Sequence, residues 1–261
     1  FWTPEANVHS KFGSNKSYHF DNTSKAYQAC YTITNIVLAT LGMIPAILGN
    51  FLTAAANTLK SHQFTYLHTN APPSEHIKKA LHLNVCMLPG GLPISFGGMS
   101  PANERVDSLI NFTVEQKAEI IAFSEVNRGI SDPLFNGLKE HYAHFFIDIG
   151  LKPFGMDAGL FIASKVPIIE ASFNIFKARD EGIQKICRRG YFKFETKDHY
   201  FIYTHLSPDS KIVRKAQLEE IQNVIESLQG KSVILFGDLN VEKNVEKNTP
   251  VTPDYQALNQ L

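Results

Sequence analysis

Apolar and polar positions divide this chain into short strands and amphipathic helices. Ser232-Val233-Ile234-Leu235-Phe236 is a continuous apolar run between Gly230 and Gly237. It is short and β-branched, so it predicts a buried strand. Residues 81–85, 119–125 and 199–206 have the same form, and 142–147 and 159–163 also read as strands. Residues 190–195 and 199–203 flank Thr196-Lys197-Asp198, which predicts a hairpin. Residues 101–112 can be helical, with Val106, Leu109 and Ile110 on one face; 131–141 can form a short helix with Pro133 in its first turn. In 211–229, Ile221, Val224, Ile225 and Leu228 follow the i, i+3, i+4, i+7 spacing, and Gly230 is the expected stop. Hairpins mixed with crossover helices predict mixed sheet in an α/β (α+β) protein.

The N-terminal part follows another pattern. From Ala26 to Leu59 there is no formal charge, and 36–56 is nearly all apolar or small. A spanning helix needs ~20 such residues. Pro45 sits near the middle, between Gly42 and Gly49. Proline kinks a straight helix, so two half-helices or a re-entrant hairpin compete with a span. A buried helical hairpin in a soluble domain fits the same run. The run is too long and too far from Phe1 for a signal peptide. Residues 60–80, with Pro72-Pro73, read as a linker. The expected organisation is an N-terminal region 1–59, a linker 60–80 and a catalytic domain 81–261.

The formal net charge is zero. A protein that neutralises many phosphates is usually basic, so no nucleic-acid partner is expected. Hydrophobic residues make up 44% of the chain, enough for a substantial core. Cys30, Cys86 and Cys187 form neither a zinc pattern nor a disulfide framework. They read as buried small hydrophobes.

Four strands end in polar groups: Asn84, Glu125, His205, and Asp238 with Asn240 two residues on. These are the parts of a metal-assisted phosphate-ester site. Magnesium takes hard oxygen ligands and keeps several waters, so one or two side chains suffice.

This order, with Gly237-Asp238-Leu239-Asn240 as its last element, resembles the endonuclease/exonuclease/phosphatase superfamily. Within it the chain is most similar to the neutral sphingomyelinases, over roughly residues 80–245. Asn84-Val85-Cys86-Met87-Leu88-Pro89 looks like their first motif. Asp157 to Ile168 looks like their apolar strand ending in Ser-x-x-Pro-Ile, and Thr204-His205-Leu206 looks like their histidine segment. Ser124 departs from the usual Gln, and Leu239 from the usual Phe. The closing Ser/Thr-Asp-His motif does not occur before Leu261, and the chain starts at Phe1 rather than Met. It therefore reads as a fragment, C-terminally truncated and inactive alone.

The resemblance implies a four-layer sandwich of two packed mixed β-sheets flanked by helices, preceded by the apolar helical segment. It implies a Mg²⁺-dependent phosphodiesterase that converts sphingomyelin to ceramide and phosphocholine. Glu125 and Asn84 would hold the metal, and His205, Asp238 and Asn240 would be catalytic. Asn240 would also bind substrate, with Arg189 or Lys185 as the cation near the phosphate. Partners would be the phospholipid substrate and a membrane, making the protein membrane-associated. The alternatives are another phosphoesterase of the superfamily, an inositol-phosphate phosphatase or a nuclease, or a non-catalytic membrane-bound module.

Overall fold

The computed structural model describes residues 32–38, 41–43, 45, 47–49, 51–52, 63–127, 129–150, 156–180, 182, 187–242 and 251–261. The chain divides into two compact units, Phe1–Leu52 and Thr53–Leu261. In the first, Thr32–Gly49 is a helix of 18 residues with mean hydropathy 1.7, long and apolar enough to cross a membrane by length and composition. Its described apolar side chains, among them Ile33, Leu38, Leu41 and Leu48, are exposed. Pro45 lies within the helical stretch.

The second unit carries nine strands and four α-helices among its described residues. They are β1 (Thr65–His68), β2 (Ala80–Met87), α1 (Ala102–Gln116), β3 (Ile120–Val126), α2 (Ser131–Leu138), β4 (His144–Ile147) and β5 (Leu160–Ser164), then β6 (Glu170–Ile175), β7 (Gly190–Glu195), β8 (His199–His205), α3 (Lys211–Ser227), β9 (Ser232–Asp238) and α4 (Pro253–Leu258). One sheet has the order β1-β4-β5-β3-β2 and the other β6-β7-β8-β9. Each is mixed: β2 runs parallel to β3 and β8 parallel to β9, while the other pairs are antiparallel.

Strand alternation builds the layers. Successive side chains point to opposite faces, so Ile121 and Phe123 of β3 pack under α1 and α2 with Val106, Leu134 and Leu138. Ile120 and Ala122 point the other way, onto Phe192, Phe194, Phe201 and Tyr203 of the second sheet. The outer face of that sheet, with Ile202, is covered by Leu218 and Ile221 of α3 and Ala257 of α4. The result is helix, sheet, sheet, helix. The layer between the sheets is aromatic: Phe194 stacks on Phe201 at 4.8 Å, and Phe146 meets Phe192 at 5.1 Å. A fully buried Phe stabilises the fold by about 1.5–3 kcal/mol.

Three details depart from the sequence pattern. The stretch read as a linker contains β1, which pairs with β4 through Tyr66↔Phe146 and His68↔His144. Two prolines farther on in this stretch masked a strand of only four residues. β6 and α4 also carried too little periodicity to be seen. Helix α3 starts where expected, with Ser210 Oγ accepting from the Val213 backbone at 3.3 Å. It stops at Ser227, because Leu228 is already extended.

Candidate active site

The predicted residues meet where the parallel pairs of the two sheets end. β2 and β9 approach one another, and the register sets Asn84 opposite Ser124 and His205 opposite Asp238. Asn84 Nδ2 donates to Glu125 Oε1 at 2.9 Å and to Asp238 Oδ2 at 2.7 Å. Ionised carboxylates only accept, so the amide turns its NH₂ to both. Its oxygen accepts from the Cys86 backbone at 3.2 Å. His205 Nε2 lies 3.7 Å from Asp238 Oδ2 and 4.0 Å from Glu125 Oε1. Asn240 closes the turn: its backbone N–H donates to Asp238 Oδ1 at 3.2 Å, and its Nδ2 donates to the Leu206 carbonyl at 3.0 Å.

The backbone is unusual at these positions. Cys86, Glu125 and Asn240 have φ of 44°, 62° and 50°. Non-glycine residues held there cost about 1–3 kcal/mol each and cluster at functional sites. Cys86 marks the bulge that follows Asn84 in β2. Two glycines make the arrangement possible. A Cβ on Gly237 would strike the Thr204 carbonyl on the adjoining strand, so only glycine fits before Asp238. Gly159, at φ 63°, would bring a Cβ within 3.4 Å of Glu125 Cα, and its carbonyl accepts from Val126 N at 3.0 Å.

Glu125, Arg189 and His205 line a cavity of about 280 Å³, together with Asn127, Asp157 and an apolar wall that includes Leu88 and Met156. Asp238 and Asn240 line an open recess of about 590 Å³ with Lys211; Pro208 borders both spaces. Asn84 thus ties the carboxylate of one space to that of the other.

His205 is held below its ordinary pKa, first by burial and then by the Arg189 charge; Asp238, Glu125 and Asp180 oppose this in part. The imidazole is therefore neutral at pH 7. Arg189 donates from Nε to Asp180 Oδ2 at 2.7 Å and from Nη1 to the carbonyls of His205 and Leu206, each at 3.3 Å. Asp180 also accepts from the Ser207 hydroxyl. The predicted phosphate cation thus braces the loop that carries His205 while lining the cavity. Lys185 lies outside the described residues.

Sequence reasoning missed Asp180, Ser207 and His82. His82 Nε2 lies 2.7 Å from Ser124 Oγ. Its signal was present: His82 stands two residues before Asn84 in β2, hence on the same face.

Among the described residues no group of three or more His, Cys, Asp or Glu forms a metal cluster. The donors at hand, carboxylates beside an amide and open to solvent, suit a hard cation that keeps most of its waters. They fit Mg²⁺ and do not fit a thiolate-seeking metal.

No family model and no curated protein sequence matches the chain. Two packed mixed sheets flanked by helices are a fold that the chain shares with solved structures. Among solved structures the chain is similar to SmcL, with 22% identity, TM-score 0.54, and 69% of this chain and 67% of that one covered. It is similar to a mutant of beta toxin from Staphylococcus aureus with bound magnesium ions, with 22% identity, TM-score 0.56, and coverage of 69% and 68%. A third is sphingomyelinase C from Streptomyces griseocarneus, with 16% identity, TM-score 0.53, and coverage of 69% and 68%. At these identities the likeness establishes the fold.

Proposed function

We propose that the chain is a Mg²⁺-dependent phosphodiesterase that hydrolyses sphingomyelin to ceramide and phosphocholine at a membrane. The observation that carries this reading is the Asn84 amide, which draws Glu125 and Asp238 together beside His205. The shared fold with sphingomyelinase C supports the substrate, and the magnesium ions in a beta toxin structure support the metal. Zero net charge favours a lipid over nucleic acid, and the apolar N-terminal helix supports membrane association.

Glu125, oriented by Asn84, would hold Mg²⁺, which would supply positive charge against a non-bridging phosphate oxygen. The neutral His205 ring donates a hydrogen bond to the phosphate as negative charge develops, an electrostatic contribution to the transition state. Asp238 accepts from the attacking water and orients it. Asn240 keeps one amide hydrogen on Leu206 and offers the other to a phosphate oxygen. Arg189 holds the His205 loop and places positive charge at the cavity wall. Water excluded from the apolar wall strengthens each of these interactions.

The test is phosphocholine release from sphingomyelin vesicles by the full-length protein, with Mg²⁺ and with excess chelator. Release that needs Mg²⁺ and disappears in Glu125→Gln is the expected result. Turnover in chelator would remove the metal from the mechanism. Turnover confined to inositol phosphates or DNA would move the protein to another branch of the class.

A further inference from the structure

Ser124 immediately precedes Glu125, where the superfamily signature carries Gln. Serine is too short to brace the end of β3 as a longer amide would. The neighbouring strand fills the gap, with His82 Nε2 at 2.7 Å from Ser124 Oγ. Two cross-strand bonds therefore follow one another along β2 and β3: His82 to Ser124, then Asn84 to Glu125. The His82 ring packs on Tyr203 of β8 at 5.7 Å, and Tyr203 packs on Phe236 of β9 at 5.0 Å. Ser124 and Tyr203 are fully buried. The buried Tyr203 hydroxyl lies beside Ser124. His82 is thus wedged between the sheets, one rung below the Asn84 bridge.

We propose that His82 is a positioning residue: through Ser124 it fixes the end of β3 so that Glu125 meets Asn84. The inference rests on the reading of Glu125 as the Mg²⁺-holding carboxylate that Asn84 orients, and its geometry can be tested without the metal.

The experiment uses the full chain, His82→Ala, Ser124→Ala and the conservative His82→Gln. The side-chain amide of Asn84 is followed by NMR without metal, assigned through Asn84→Ala, and Mg²⁺ affinity is measured by calorimetry. In His82→Ala and Ser124→Ala the Asn84 amide signals should move toward those of a free carboxamide. Mg²⁺ affinity should fall about 10-fold or more, the scale of losing a group that orients a ligand. His82→Gln should restore most of both. If His82→Ala does not fold, Ser124→Ala carries the same measurement. An Asn84 amide unmoved in the folded variants overturns the proposal, even with a lowered unfolding temperature, because His82 is then packing only. A wild-type chain that binds no Mg²⁺ but whose Asn84 amide moves in His82→Ala keeps the positioning role and removes the metal reading.

Discussion

Asn84 on β2 and Asp238 on β9 stand 154 positions apart and are joined by a 2.7 Å hydrogen bond. The bond crosses from one sheet to the other, so the site forms only when the aromatic layer between the sheets has closed. It also links groups that repel. Glu125 and Asp238 are both acidic, and the two hydrogens of one amide satisfy an oxygen of each. That makes Asn84 the most informative position to change.

Asn84→Ala removes the shared donor and leaves the two carboxylates facing one another. We expect phosphodiester turnover to fall about 10–100-fold, as when a ligand loses its orienting partner. Asn84→Asp should fall further, since a third carboxylate replaces a donor with an acceptor. Rates measured for both variants at saturating Mg²⁺ check this; an Asn84→Asp more active than Asn84→Ala would show that charge repulsion is not the controlling term.

His205→Ala should lower kcat by roughly 10²–10³-fold, the scale of removing one donor to a developing oxyanion. KM should change little, because the hydrogen bond strengthens only in the transition state. Glu125→Gln should differ in kind, with partial recovery at high Mg²⁺. Steady-state kinetics against substrate and metal separate the two. Equal metal rescue in both variants would contradict the division of roles.

Stability should depend on mild acid. Burial holds His82, His144 and His205 below the ordinary imidazole pKa; His68 adds to this at His144, and Arg189 at His205. In the unfolded chain each titrates near ~6.5. Between the folded and unfolded values the unfolded chain binds more protons, so stability is intact above ~6.5 and falls as pH drops below it. Thermal unfolding from pH 8 to pH 5 should show this fall, and His144→Gln should flatten it. A midpoint that rises on acidification would refute the assignment.

The sequence announced the site better than the path to it. Glu125, His205 and Asp238 were legible because each stands in the last two residues of an apolar strand, and Asn84 because it interrupts the apolar run of β2 just before its bulge. The bridge between them was not, since nothing in Leu83-Asn84-Val85 states that the amide spans two sheets. Arg189 read as a phosphate cation because charge is visible in sequence; its bonds to Asp180 and the His205 carbonyl depend on a loop fold that is not. β1 was hidden for another reason. Four residues give too short a pattern to assign, and the strand is secured by pairing with β4, almost eighty positions away in sequence.

The proposed membrane contact and the proposed chemistry fall in different units of the chain. Helix Thr32–Gly49 has mean hydropathy 1.7, and its described side chains are exposed. Residues Phe1–Leu52 form a unit distinct from Thr53–Leu261. Deleting residues 1–52 should therefore abolish sedimentation with sphingomyelin vesicles and spare hydrolysis of substrate dispersed in detergent. A longer deletion, 1–75, also removes β1. That strand covers β4, and Phe64 just before it packs on Phe146 and Phe192 at 5.5 and 5.3 Å. Its loss leaves β4 an unpaired edge beside bare aromatic surface, a liability for aggregation. The longer deletion should unfold at lower temperature than the shorter one. Vesicle binding that survives the shorter deletion would place the membrane contact on the second unit and remove the anchor from residues 32–49.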